Sequence, residues 1–268
     1  MKKISAIILA SNREKIIEGC LKTLGWVDEI IMVDIGCQDE SLKIAQKYKA
    51  KIVKGGGEYN FSLWRNKGAE KASSDWLFYI DTDERVTPEL KKEIVKIVKL
   101  PNGQIVGYQI PRKNYFLGRE FKTVWPDYQL RLIKKDALIS WQGKIHEQPE
   151  IKGETDKLKN PLIHLSHRSL ESSIKNTLNW SKLEAENRFK AGHPKMTGWR
   201  FFRVLFTAFW DQFVKKKVWQ EGTEGFIEGI YQVFSMFFTY YRLWQLQRRE
   251  FLEKTYQKID QEILKQWQ

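Results

Sequence analysis

Short apolar runs that alternate with helix-patterned stretches constrain this chain more than any other feature of it. Ile4-Ser5-Ala6-Ile7-Ile8-Leu9-Ala10 is the first run, and Ser11-Asn12-Arg13-Glu14 behind it supplies turn and capping chemistry for a helix. Ile30-Ile31-Met32-Val33 is the second and ends in Asp34-Ile35-Gly36-Cys37. Leu42, Ile44 and Ala45 then suggest another helix, and Ala50-Lys51-Ile52-Val53 a third strand. A further run, Trp76-Leu77-Phe78-Tyr79-Ile80, stops in Asp81-Thr82-Asp83-Glu84-Arg85. Strands alternating with helices indicate βαβ units, hence an α/β fold on a mostly parallel sheet flanked by helices.

In such sheets ligands collect at the carboxyl ends of the strands. Asp34, Asp81 and Asp83 all stand at strand ends and share one rim. A lone Asp-x-Asp arises by chance in many chains and reads as a solvated acidic turn. Here two other features weigh against that reading: Asp34 upstream, and Arg65 within Phe61-Ser62-Leu63-Trp64-Arg65-Asn66-Lys67-Gly68-Ala69. Paired carboxylates can hold a divalent cation through oxygen ligands, and the cation can in turn bind a diphosphate. The order carboxylate, arginine, carboxylate pair suits a nucleotide diphosphate, whose base or ribose needs acceptors and whose phosphates need cations and donors.

With these stretches in place, the first 170 or so residues resemble the family 2 glycosyltransferases. The nearest likeness is to bacterial enzymes that add glucose or a similar sugar to the lipopolysaccharide inner core. The matching segments are residues 7–14, Val33-Asp34-Ile35-Gly36-Cys37-Gln38-Asp39, Arg65-Asn66 and Tyr79-Ile80-Asp81-Thr82-Asp83-Glu84-Arg85-Val86. Residues 110–118, Pro126-Asp127-Tyr128-Gln129-Leu130-Arg131-Leu132 and Ile145-His146-Glu147-Gln148 complete the set. Ile35, Cys37 and Ala10-Ser11 depart from the family pattern at positions that bear on nucleotide-base preference.

The resemblance implies a GT-A fold and an inverting, metal-dependent transfer from a nucleotide sugar. UDP-glucose is the donor it points to, and a glycolipid or other cell-envelope glycan the acceptor. Donor binding would fall to Ser11, Glu14, Asp34, Arg65 and Asp81, and a Mg²⁺ or Mn²⁺ ion to Asp83 with His146. His164 and His167 read as structural. Two carboxylates compete for the general base, Asp127 and Glu147, since reach to the acceptor proton is not legible in sequence. Trp125 and Trp141 suit either sugar stacking or packing.

The formal net charge of +13 points to an anionic partner. Two cysteines, Cys20 and Cys37, with no Cys-x-x-Cys spacing, fit reduced thiols in the cytoplasm. Lys2-Lys3 followed by apolar residues mimics a signal peptide, but the apolar core is short and reads as a first strand.

Residues 1–168 therefore read as the catalytic domain and 169–268 as a helical extension. That extension opens with a helix over about 169–190, then turns aromatic and basic. Trp199, Phe201, Phe202, Phe206, Phe209, Trp210 and Phe213 precede Lys215-Lys216-Lys217. Phe226, Ile230, Val233, Phe234, Phe237, Tyr241 and Trp244 precede Arg248-Arg249 at helical spacing. Arg203, Asp211, Glu228 and Arg242 interrupt both runs, so neither reads as a spanning helix. They fit either internal or subunit packing or, preferably, an anionic membrane surface at the inner face of the cell membrane.

Two other classes fit less well. A sugar nucleotidyltransferase usually carries a Gly-rich basic loop near its start, whereas Ser11-Asn12-Arg13-Glu14 has no glycine and Gly55-Gly56-Gly57 comes late. A nucleic-acid-binding protein would suit the basic, aromatic half. The aromatic faces are too continuous for base stacking, however, and no known nucleic-acid module stands out, so nucleic acid is not an expected partner.

Overall fold

The computed structural model describes residues 2–57, 59–100, 104–144, 147–248 and 251–267. The chain divides into two compact units, Met1–Ser166 and His167–Gln268.

The first unit opens as β1 (Ile4–Ala10), α1 (Glu14–Lys22), β2 (Glu29–Asp34), α2 (Ser41–Lys47), β3 (Lys51–Lys54), α3 (Phe61–Lys71) and β4 (Trp76–Tyr79). These strands lie side by side as β3-β2-β1-β4, all parallel. Every residue of β1 is buried, which explains its unbroken apolar run: a parallel strand covered on both faces has no solvent side to alternate with. Ile4, Ala6, Ile8 and Ala10 pack with Ile17, Cys20 and Leu21 of α1 on one face. Ile7 and Leu9 pack with Trp64 and Ala69 of α3 on the other. Lys2 and Lys3 thus precede a central strand.

The rest of the unit is β5 (Glu84–Val86), α4 (Pro88–Lys99), β6 (Ile105–Phe116), β7 (Arg119–Glu120), β8 (Asp127–Lys134), β9 (Leu138–Gln142), β10 (Gln148–Ile151), β11 (Glu154–Lys157) and β12 (Leu162–Leu165). Strand β8 joins β4 antiparallel, and the sheet continues β8-β6-β12-β5, with β7 and β11 also on β6 and β9-β10 as a separate pair. The mostly parallel GT-A-type sheet flanked by helices is therefore present, with antiparallel strands added beyond β4. Thr87 caps α4 with its side chain and Pro88 follows at the first turn, where its missing N–H costs nothing.

The second unit contains α5 (Leu170–Lys190), α6 (Gly198–Phe209), α7 (Gly222–Leu246) and α8 (Leu252–Leu264). Ser169 caps α5. A π-type turn, Trp210–Lys215, extends α6. Helix α7 packs on α5 through a polar seam in which Thr177 Oγ1 and Tyr231 OH are 2.8 Å apart and Arg188 donates to Tyr240 OH at 3.1 Å. Ala185, Met196, Tyr240 and Leu243 form a small apolar core. No helix of the described residues is long and apolar enough to cross a membrane. Arg249 lies outside the described residues.

Candidate active site

The Asp81–Glu84 turn is the centre of the site. Strand β4 ends at Tyr79, and Asp81 and Glu84 then lock each other: Asp81 N–H donates to Glu84 Oε2 at 2.9 Å and Glu84 N–H to Asp81 O at 3.0 Å. The Glu84 side chain is completely buried, which for a carboxylate demands a buried cation with good geometry. Arg131 supplies it. Its Nη2 lies 2.7 Å from Glu84 Oε1 and 2.5 Å from Asp81 Oδ2, and Arg112 Nη1 adds a longer contact to Glu84 at 3.4 Å. Burial works against the Asp81 charge, but Arg131 and Arg65 prevail and hold its carboxyl far below the usual range.

Arg65 arrives from α3. Its Nε donates to Glu147 Oε1 at 2.7 Å and its Nη2 to Asp81 Oδ1 at 3.3 Å. The guanidinium lies 4.9 Å from the Trp141 ring centroid and 5.7 Å from that of Tyr79. Its Nη1 is buried without a partner among the described residues. Trp141 is itself buried edge-on to Tyr79 at 4.7 Å, so its ring is spent on packing. Trp125 is open, with 43% of its surface exposed.

Asp127 begins β8 opposite Arg112 of β6. Its Oδ2 accepts from Arg112 Nε at 2.9 Å, Arg112 Nη2 at 2.6 Å and Asn114 Nδ2 at 3.1 Å, whereas among the described residues Oδ1 accepts only from Gln129 Nε2, at 2.8 Å. Burial opposes its ionisation, but Arg112 and these amides lower its pKa. Asn114 Oδ1 lies 2.7 Å from His164 Nδ1, and His164 Nε2 faces Asp83 Oδ1 at 3.7 Å. One polar network thus runs from Glu147 through Arg65, Asp81, Arg131, Glu84, Arg112, Asp127, Asn114 and His164 to Asp83.

Its charges do not balance, since five carboxylates face three guanidiniums. Asp83 takes the consequence: burial, Asp81 and Glu84 raise its pKa against the pull of His164 and Arg13. Among the described residues its carboxylate accepts no hydrogen bond, while both Asp81 oxygens are committed to arginines. The described residues form no cluster of three or more metal-ligating side chains. Asp83 nevertheless fits a hard divalent cation of the Mg²⁺ type, which commonly takes one or two carboxylates and completes its shell with water and substrate phosphate. His146, expected beside it, lies outside the described residues.

The remaining donor-binding candidates gather on the neighbouring loops. Asp34 ends β2 opposite Ala10, and its Oδ1 accepts the N–H groups of Gly36 and Cys37 at 3.0 and 2.8 Å. Glu14 Oε2 accepts from Glu40 N–H at 3.2 Å, so that side chain ties the loop after β1 to the loop after β2. Ser11 precedes Asn12, whose φ of 49° and bond from Gln38 N–H fix the same turn.

Residues 5–150 match the family model described as Glycosyl transferase family 2. The chain belongs to this family. The lipopolysaccharide core biosynthesis glycosyltransferase LpsC of Rhizobium meliloti (strain 1021) is 26% identical to this glycosyltransferase over 257 residues, 90% of this chain and 92% of its own. An uncharacterized glycosyltransferase of Rickettsia typhi is 24% identical over 92% of this chain and 88% of its own. Among solved structures, glucosyl-3-phosphoglycerate synthase of Mycobacterium tuberculosis, in complex with Mn²⁺, UDP and glucosyl-3-phosphoglycerate, aligns with 51% of this glycosyltransferase and 58% of its own chain. That alignment has 18% identity and a TM-score of 0.40.

Five members of the network were not singled out from sequence: Glu84, Arg112, Asn114, Arg131 and His164. Four of them lie within or beside the matched motifs and carried a signal that went unused. His164 differs, because its alternation with Leu162 and Leu165 in a short strand read as structural. The strand is real, but its pairing sets His164 opposite both Asn114 and Glu84.

Proposed function

We propose that the glycosyltransferase moves a hexose, glucose foremost, from a UDP-sugar to a lipid-linked or other cell-envelope glycan, with inversion at the anomeric carbon. Its similarity to LpsC along nearly the whole chain supports an acceptor of lipopolysaccharide-core type. A glycolipid acceptor would put the enzyme in the cytoplasm at the inner face of the cell membrane. Residues 1–168 would carry the reaction, with 169–268 as the extension.

The uneven loading of Asp127 carries this reading. Three donors saturate Oδ2 and one reaches Oδ1, which leaves Oδ1 room to accept the proton of an incoming hydroxyl. Asp127 therefore takes the base role ahead of Glu147, whose Oε1 is tied to Arg65 and whose side chain is 13% exposed against 25% for Asp127. Arg112, Asn114 and Gln129 hold the carboxylate in place. Arg65 would lie near the donor's phosphate or base, its guanidinium holding Asp81 and Glu147 in place. Asp34, through the oxygen not used by the Gly36 turn, accepts from the nucleobase, with Ser11 and Glu14 shaping that loop. Asp83 would hold the Mg²⁺ or Mn²⁺, which when bound neutralises the departing diphosphate.

The test is release of free UDP from UDP-glucose, UDP-galactose and UDP-N-acetylglucosamine. It is run with truncated lipopolysaccharide core as acceptor, with Mg²⁺, Mn²⁺ or excess chelator, and with NMR assignment of the new linkage. Metal-stimulated turnover with an inverted anomeric centre supports the proposal. Full activity in chelator would remove the metal from it, and retention of configuration would remove Asp127 as a direct-displacement base.

A further inference from the structure

The second unit leaves a broad aromatic surface uncovered. Along α6 and into the π-type turn that extends it, Trp199, Phe202, Phe206 and Trp210 recur at helical spacing and are 70%, 58%, 54% and 46% exposed. They touch in series, with ring centroids 5.5, 6.2 and 5.9 Å apart. On α7, Phe226, Ile230, Phe234 and Phe237 form a second stripe, 37–55% exposed, while the opposite side of that helix is buried on α5. The stripes join at both ends. Phe201 meets Phe237 at 5.9 Å, and Phe213 stacks on Phe209 at 4.5 Å while meeting Phe226 at 5.6 Å. Contiguous exposed apolar surface of this kind marks an interaction site rather than ordinary scatter.

Charge decides the partner. Residues 195–248 carry Lys195, Arg200, Arg203, Lys215, Lys216, Lys217, Arg242 and Arg248 against Asp211, Glu221, Glu224 and Glu228, and of these carboxylates Glu221 and Glu228 are buried. Lys216 pairs with Asp211 at 2.8 Å, and all three lysines of the 215–217 run are exposed. A twofold contact between two copies presents the same patch from both sides, so it would crowd two such cationic sets together. An anionic surface meets no such repulsion. The exposed face of α8 supplies the contrast. Tyr256, Ile259 and Ile263 are equally open, yet residues 251–267 hold three lysines and three carboxylates and favour no sign of charge.

We propose that the α6–α7 hairpin is a docking platform for a bilayer rich in anionic phospholipid. Its aromatic rings would enter the headgroup boundary and its cations would meet the phosphates around them. The stripe from Trp199 to Trp210 spans about 17 Å of helix. It would lie flat, at the shallow depth of about 5–10 Å typical of interfacial helices. Trp suits that boundary because its ring is amphipathic, and Lys and Arg can lay their stems on apolar surface while the charge stays in water. The platform deepens the membrane-side placement proposed above and is tested by binding alone, so its failure would leave sugar transfer to a water-soluble acceptor intact.

The full chain is mixed with vesicles of phosphatidylcholine alone or with one-quarter phosphatidylglycerol. Binding is read by co-sedimentation and by tryptophan emission with brominated-lipid quenching. Binding to the anionic vesicles, a blue shift with quenching, and loss of binding at high salt are expected. Lys215/Lys216/Lys217→Glu should lower the partition coefficient on the order of a hundredfold. Phe202→Ser with Phe206→Ser should lower it at least about tenfold. Both variants change exposed side chains, and an unchanged far-UV melting curve checks that they fold. Equal binding to neutral and anionic vesicles, or binding to neither, overturns the proposal. So does a dimer in sedimentation velocity that Phe202→Ser with Phe206→Ser disperses, which would assign the face to a second copy of the chain.

Discussion

Asp127→Asn separates the chemistry of the site from its architecture. The amide keeps the size of the carboxylate, and its oxygen can still accept from Arg112, but it cannot take a proton from an acceptor hydroxyl. A positioned general base contributes about 10²–10⁴ in rate, or about 2.7–5.4 kcal/mol of barrier. Turnover should fall by that factor while donor affinity, which rests on residues of other strands, stays close to the parent's. The fold should weaken as well, because a charge-assisted bond to Arg112 is lost. About 1.5–3 kcal/mol is the scale for a hydrogen bond to a charged group, and Arg112 is left with a neutral amide oxygen and its 3.4 Å contact to the Glu84 carboxylate. The sign with pH follows from the lowered folded pKa of Asp127. The stability it adds is complete above the ordinary aspartate value of about 3.9 and is lost as pH falls through the folded value. Parent and variant should therefore differ by a constant amount near neutrality and converge in acid. Turnover by UDP release, donor binding by calorimetry and urea unfolding read the three effects separately. An Asp127→Asn enzyme that keeps most of its turnover, with the loss appearing in Glu147→Gln instead, would refute the reasoning.

Other residues give independent checks. Burial and the neighbouring Asp81 and Glu84 raise the Asp83 pKa, so Mn²⁺ must displace a proton from it more readily held than usual. Calorimetry with UDP present should show affinity falling on acidification and vanishing in Asp83→Ala, and metal binding that survives the substitution would exclude Asp83 as ligand. Gly68→Ala ought to destabilise by about 1–3 kcal/mol, because the added Cβ would sit 2.5 Å from Ile7 Cγ2 and the overpacking outweighs the better helix propensity. Urea denaturation decides it, and a stabilised variant would mean that α3 can move away from β1 at little expense. Cys20 is fully buried and the Cys37 thiol is pushed up to about 11 by burial and by Asp34, so native thiol labelling at pH 8 should run about a hundredfold slower than for a free cysteine. Rapid modification of either would contradict that environment.

The alternation of strand and helix, the mostly parallel sheet and the helices α5 to α7 were legible in the sequence, because each depends on local periodicity and on which faces are buried. So was the rim that carries Asp34, Asp81 and Asp83, since a strand's end is marked where its apolar run stops. The network joining these carboxylates to their partners was not. Arg131 reaches Asp81 and Glu84 from 50 and 47 residues away, because β8 pairs with β4. Arg112 faces Asp127, and His164 faces Asn114, through the registers that β6 forms with β8 and β12. A one-residue slip in either register would turn those side chains to the opposite face of the sheet. Sequence names the charged residues, but which ones are buried together, and so which carboxylate stays free for a metal or a proton, is decided by strand pairing over long separations.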